Sequence, residues 1–437
     1  MQGARVLPIC LLPICLLQPI LRTLSPLPDV IPVFSHVQPI MKNEKFLLFV
    51  LAVVQFTDIM DFMIIMPLGS TFMREFEITP QQFSIIVSSY AIAAFCSGLI
   101  GAGFIDRFDR KKVLLFIYAG FAVGTLACSI APGFGLFLAA RSLTGVFGGI
   151  LAALVLSIIG DNIPLERRGA AMGIVMTAFS LASVAGVPTG LFLAARFGWQ
   201  APFLTIGGIA SVLWLLIVFT LPPMKKHLDS GLVQRNPLKV FKNIATDPNQ
   251  LRALLFTLIL MLGHFSVIPF IAPYMELNIG FSTYQVSYIY GLGGLCTVFL
   301  LPLFGKLADR YGHVLVFTIA SFFALLSIFA ITNLPHVSIA VALCATSSFF
   351  IVASGRNVPA TTLVTSVVRP ESRGSFMSVR ASINELALGL ASFLAGMIVT
   401  KAPDGSLEHY PYVGYFAIAM SLIAVLIARK LKPADGA

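Results

Sequence analysis

The residues of this chain that could do chemistry are few and lie within apolar surroundings. Asp58 and Asp61 stand three positions apart in one hydrophobic stretch, which puts both carboxylates on nearly one face of a helix. Asp61 falls near the middle of that stretch, ahead of Pro67. A charge near the centre of a bilayer costs roughly 2.5–3.5 kcal/mol on insertion scales, so such residues default to functional candidates. A carboxyl group in low dielectric beside a second carboxyl is suited to carrying a proton at physiological pH, and Asp61 and Asp58 are read as proton- or cation-coupling residues. Arg141 is a fixed cation inside another apolar stretch, able to stabilise a span-one carboxylate when close and to release it when apart. Arg356 and Glu385 lie at matching depths in two later stretches and are expected to pair, with Asn384 beside them.

Twelve apolar stretches must position these groups. Their approximate limits are 46–72, 81–105, 113–131, 134–160, 170–195, 201–222, 252–275, 284–304, 314–332, 338–366, 376–399 and 411–431. The chain has 437 residues, 57% hydrophobic and 11% charged, with mean hydropathy +0.92. Soluble domains are nearer 25% charged, so a soluble globular protein is excluded and an all-α integral membrane protein is expected. Residues 1–40 hold a tandem repeat, Leu7 to Leu11 then Leu12 to Leu16, with prolines recurring to Pro39. Arg5 before an apolar run resembles a secretory signal, but Pro8, Pro13 and Pro19 interrupt it. The segment reads as a disordered extension, with the natural beginning near Met41.

Basic residues set the topology. With a cytoplasmic N-terminus, 24 of the 29 Lys and Arg residues fall on the cytoplasmic side, and only Arg74, Arg196 and Lys401 on the other. Both termini are therefore expected in the cytoplasm. The net charge of +10 is explained by this distribution and requires no nucleic acid. The six cysteines show no CxxC spacing and the histidines no HxxxH or HExxH spacing, so neither a metal nor any other cofactor is expected.

The chain is duplicated. Asp106-Arg107 after span 2 and Asp309-Arg310 after span 8 lie 203 positions apart, and Gly169 and Gly374, ahead of spans 5 and 11, lie 205 apart. This gives a six-helix bundle over 41–222, a cytoplasmic linker over 223–250 and a second bundle over 251–437. Internal repeats with a site at their interface recur in secondary transporters. Carrying Asp61 forward by 203 lands on His264, a side chain that titrates naturally near neutral pH. Its competing role is a hydrogen bond between helices.

At these loops the chain resembles the major facilitator superfamily from Lys42 onward. The loop pattern of that family, G-x-L-a-D-R-x-G-R-K, reads Ala102 to Lys111 here, with Ala102 and Asp109 in place of glycines, and repeats from Gly305 with His313 at its end. Arg141 followed by Gly145, Gly148 and Gly149 is similar to the family's span-four signature. Gly186-Val187-Pro188-Thr189-Gly190, followed by Phe197-Gly198-Trp199, resembles the span-five signature of bacterial antiporters, apart from Val187 before the proline. The resemblance implies two pseudo-symmetric six-helix bundles, alternating access, a coupling role for Arg141 and a bacterial inner-membrane location. It implies a small-molecule substrate and protons as partners, and a chain that works as a monomer in the lipid bilayer.

Asp106 and Asp309 are expected to latch the halves by facing helix N-termini, with Arg107, Arg110 and Arg310 adding ion pairs such as Arg110 with Asp161. Gly186, Pro188 and Gly190, with Gly291, Gly293 and Gly294, are expected to bring spans 5 and 8 close. Tyr90, Phe95, Phe179, Phe265, Tyr288 and Tyr290 are candidates for cavity lining. The function expected is proton-driven export of a small organic solute, such as a drug-like compound, a sugar or a metabolite. Proton symport or uniport for import is the alternative. A polytopic enzyme lacks a clustered set of titratable groups, and a primary pump lacks the phosphate-binding G-x-x-x-x-G-K-[ST] loop.

Overall fold

An apolar segment in lipid satisfies its backbone internally only as a helix or a closed barrel, and the helical solution is the one taken. The computed structural model describes residues 42–101, 107–225, 228 and 244–434. Of the segment Met1–Lys45, only 42–45 are described, as the opening of the first helix; the expected disordered extension lies outside the described residues. Phe46–Ala437 forms one compact unit.

Twelve described helices are long and apolar enough to cross a membrane. Spans 1 to 6 are Glu44–Ile64, Pro80–Gly101, Arg110–Ser129, Phe134–Asn162, Glu166–Phe197 and Gln200–Thr220. Spans 7 to 12 are Pro248–Leu277, Thr283–Tyr311, His313–Thr332, Ile339–Ser366, Arg373–Ile398 and Tyr410–Ala428. Span 4 packs against spans 2 and 3, spans 8, 9 and 10 pack together, and the first and second sets of six meet along spans 2 and 11 and along spans 5 and 8. Most of the expected linker, 226, 227 and 229–243, lies outside the described residues.

Among the described spans, three are interrupted as regular α-helices, each near a proline. Span 1, expected to run unbroken to residue 72, ends at Ile64; Pro67 sits in a turn, and the chain resumes as a short helix, Gly69–Glu75. Span 10 divides at Arg356 into Ile339–Gly355 and Asn357–Ser366, because the Pro359 ring cannot pass the carbonyl of Gly355 in regular α geometry. Span 5 winds into a π turn at Ala182–Gly186, immediately before Pro188, where the wider turn gives the ring room. Between spans 11 and 12 a small hairpin pairs Thr400–Lys401 with Leu407–Glu408. The Asn278 amide ties it to the end of span 7, donating to the Leu407 carbonyl and accepting from its N–H.

Candidate functional site

The interior of the first six spans is organised around a fully buried ion pair. Asp61 and Arg141 are 0% and 1% exposed, and the guanidinium donates to Asp61 Oδ2 at 2.5 Å. The Thr125 hydroxyl of span 3 donates to the other oxygen at 3.0 Å. Arg141 also lies over the Tyr90 ring, 4.6 Å from its centre, a cation–π contact strengthened by burial. Tyr90 donates in turn to Asp58 Oδ1 at 3.2 Å, and Gln55 approaches the second oxygen at 3.5 Å. One span thus supplies two buried carboxylates in different settings: Asp61 held by a cation, Asp58 by neutral groups alone.

Glycines make this arrangement fit. A Cβ on Gly145 would stand 2.8 Å from the Tyr90 Cα, and one on Gly149 2.8 Å from the Ala94 carbonyl carbon. A Cβ on Gly148 would meet Asp58 Oδ1 at 2.9 Å. The glycines after Arg141 therefore let span 4 lie against the span 2 backbone, which carries the Tyr90 hydroxyl to Asp58. Tyr90 was legible only as a cavity-lining aromatic, and Thr125 carried no sequence signal.

The expected pair of Arg356 and Glu385 does not form. Arg356 is fully buried at the break in span 10 and donates to the Ser421 hydroxyl of span 12 at 2.9 Å; its Nε and second terminal nitrogen have no partner. Matching depth did not fix which way the two helices face. A buried charge without a counter-charge is rarely kept for stability. Arg356→Met is therefore expected to leave the melting temperature in detergent unchanged or raised while reducing transport at least about tenfold; a lowered melting temperature would mark the arginine as structural.

His264 does not join the Asp61 cluster. It is buried, stacks on Phe349 with ring centres 6.2 Å apart, has no partner at Nδ1, and has Arg356 as its charged neighbour. Among the cavity-lining candidates, Tyr290 is buried against Phe350, whereas Phe179 and Tyr288 are exposed on the helix surface.

Within the span-five motif, Pro188 is at the approach to span 8, while the two glycines serve a different contact. Gly186 and Gly190 face span 1, where a Cβ would meet Met60 Cγ at 3.0 Å and Ile64 Cδ1 at 2.5 Å. The approach to span 8 is made instead by Pro188 against Gly291 and by Ser183 against Gly294. The motif thus seats span 5 on the helix that carries Asp61.

A sequence model described as Major Facilitator Superfamily matches residues 51–358. The chain belongs to that superfamily. An uncharacterized MFS-type transporter of Bacillus subtilis (strain 168), YwfA, is 25% identical over 371 residues, covering 84% of this chain and 85% of its own. A probable sugar efflux transporter of Helicobacter pylori (strain G27) is 25% identical over 241 residues, 54% of this chain and 58% of its own. The crystal structure of a bacterial homologue of the human lysosomal transporter Spinster, in an inward-facing and unoccupied conformation, superposes with TM-score 0.69 at 17% identity, covering 90% and 95% of the two chains. The protein is accordingly a multi-pass membrane transporter of small solutes in the major facilitator fold, with twelve membrane-spanning helices among the described residues, not an enzyme.

The signature loop of this major facilitator protein explains one of its departures. Asp109, standing in place of a glycine, caps span 3 by accepting from the Lys111 N–H at 2.9 Å, and it also accepts from the Met224 N–H at 3.0 Å. It thereby ties the loop to the chain leaving span 6. Arg110 pairs with Asp161 at 2.8 Å, joining spans 3 and 4 within the first six helices. Asp106 lies outside the described residues, and Arg107 is exposed. In the second copy Asp309 and Arg310 are both exposed, with Arg310 over the Tyr311 ring.

At the end remote from these basic loops the two sets of helices are joined. The Ser70 hydroxyl donates to the Glu276 carboxylate, a Cβ on Gly69 would meet Pro273 at 2.8 Å, and one on Gly396 would meet Gln81 Cα at 3.2 Å. Phe192 and Tyr284 bridge spans 5 and 8 edge to face. Ser70→Ala is expected to loosen this end. In a background freed of native cysteines, spin labels at Arg196→Cys and Glu408→Cys should show the longer-distance population gain at least about threefold over the parent, corresponding to loss of one charge-assisted hydrogen bond.

Proposed function

We propose that this transporter exports a small organic solute in exchange for protons, with Asp61 as the coupling carboxylate and Arg141 as the group that alternately holds and releases it. The carrying observation is the wholly buried Asp61–Arg141 pair, which has little reason to persist for stability alone. It lies beside Tyr90 and Asp58, on helices that adjoin the contact between spans 2 and 11. Separation of Arg141 from Asp61 as the halves rock would let the carboxylate take up a proton, and re-pairing would expel it. Export as the direction is supported by the span-five motif seated on span 1 and by the sugar efflux transporter of Helicobacter pylori among the relatives.

The closed far end and the exposed Asp309 loop support a conformation open toward the basic loops, which the distribution of Lys and Arg assigns to the cytoplasm. Both termini then lie in the cytoplasm, and the bacterial relatives support an inner-membrane location. In the opposite conformation Asp106 and Asp309 latch the two bundles, of residues 41–222 and 251–437, at the ends of spans 11 and 5. His264 acts within the second bundle.

The test uses liposomes containing the purified protein and a pH-sensitive dye, with sugars and drug-like compounds supplied under imposed pH gradients. Solute-evoked proton movement opposite to solute movement supports antiport. Movement of both in the same direction would establish symport, and solute flux without proton movement a uniporter; either result sets the proposal aside.

A further inference from the structure

The charges inside the bundle do not balance where the two halves meet. Asp61 has Arg141, but Asp58 is held only by the Tyr90 hydroxyl and Gln55. Glu385 of span 11 has no hydrogen-bond or ion-pair partner among the described residues, and it lies deep in the protein while keeping some reachable surface. Its partial exposure leaves the carboxylate reachable by a solute.

Its direction follows from its neighbours along the helix. Ser382 lies against Gly98, and Gly389 against Ala91 and Ile92. Glu385 stands three residues from the first and four from the second, so it shares their face toward span 2. From there it faces the helix that carries Tyr90, whose hydroxyl donates to Asp58. Asp58, Asp61 and Glu385 are three carboxylates on the helices that meet around Tyr90, and Arg141, paired with Asp61, is the one cation beside them. Arg356 does not supply the missing charge, since its one hydrogen bond is to Ser421. Phe62 lies against Tyr90, with ring centres 5.6 Å apart, adding an apolar surface at the same place.

We propose that Glu385 and Asp58, one from each half, form the recognition site for an organic cation, with Glu385 and Asp58 binding its ammonium, phosphonium or guanidinium group and Phe62 and Tyr90 contacting its apolar part. Two like charges brought near each other where the halves meet repel, and a cation between them converts that repulsion into attraction for both halves. The bound cation thereby favours drawing the halves together around it. This specifies the substrate class left open by the proposed function and rests on that reading for its transport consequences, but not for binding.

The test measures saturable binding of radiolabelled tetraphenylphosphonium and of tetraethylammonium to the purified full chain in detergent, at alkaline and at mildly acidic pH. The expected result is binding of at least one probe, weakened on acidification as protons compete. Glu385→Gln should lose affinity at least about tenfold, equivalent to about 1.4 kcal/mol, and Glu385→Asp should recover most of it. Asp58→Asn should weaken binding in the same direction. No saturable binding of either cation by the parent protein, or undiminished binding by Glu385→Gln, overturns the proposal. Cation binding that leaves Asp61→Asn without a transport defect would support this site while removing the proposed coupling; proton exchange driven only by neutral solutes would do the reverse.

Discussion

Asp61→Asn is expected to destabilise the protein by about 3–5 kcal/mol, because it strands the Arg141 guanidinium without a counter-charge in a buried site. The double replacement Asp61→Asn with Arg141→Gln should recover most of that loss, since two neutral side chains can hydrogen-bond to each other and to Thr125. Neither protein should show solute-driven proton movement. Thermal unfolding in detergent, paired with the liposome dye assay, separates the two contributions. A double variant that is stable yet silent identifies the pair as machinery. A single variant that still moves protons would show that Asp61 only balances a charge.

The second large effect is expected from one added methyl group at the seam between spans 2 and 4. Gly145→Ala and Gly149→Ala each press a Cβ into the backbone of span 2, at Tyr90 and Ala94, where no side chain can swing aside. Each should cost about 1–3 kcal/mol from overpacking and displace the Tyr90 hydroxyl from Asp58. Gly208→Ala in span 6, with nothing within 4 Å of its Cβ, is the control, and should stabilise by up to about 1 kcal/mol through helix propensity. Melting temperatures for the three variants check the ranking. A control that falls as far as Gly149→Ala would place the sensitivity in helical glycine generally rather than at this seam.

The span count and the family were legible in the sequence because they depend on segment hydropathy and on loop residues at fixed spacing. Asp61 and Arg141 stood out because any charge within twenty apolar residues does. Partnership was harder to read. Arg356 and Glu385 share a depth, but each helix can rotate about its axis without changing its hydropathy, and that rotation sends Arg356 to Ser421. Ser70 and Glu276 were invisible for a related reason: both lie at helix ends, where a polar residue is unremarkable until the fold brings another half against it. Gly186 and Gly190 were recognised as a close-packing motif, yet a glycine does not say which neighbour comes close. The break in span 1 was written in Pro67, which an unbroken hydrophobic run from 46 to 72 concealed.

The π turn in span 5 amounts to one residue more than a straight helix of that length would contain. Up to Ala182 the buried positions are Ala171, Val175, Ala178 and Ala182; continued in α phase they would reach Ala185 and Thr189, both exposed, whereas Gly186 and Gly190, one position later, are buried instead, with Val187 and Leu191 beside them. The surplus residue thus advances the part of the span beyond the turn by one position, about 100° of rotation. Removing Ala185 would restore an ordinary helix and leave both lengths facing their present neighbours, with the penalty confined to the Pro188 ring against a carbonyl. Removing a residue such as Val175, by contrast, would turn everything beyond it and carry Gly190 away from Ile64. Tolerance of length change in this helix is therefore set by position relative to the turn, not by how many residues are lost.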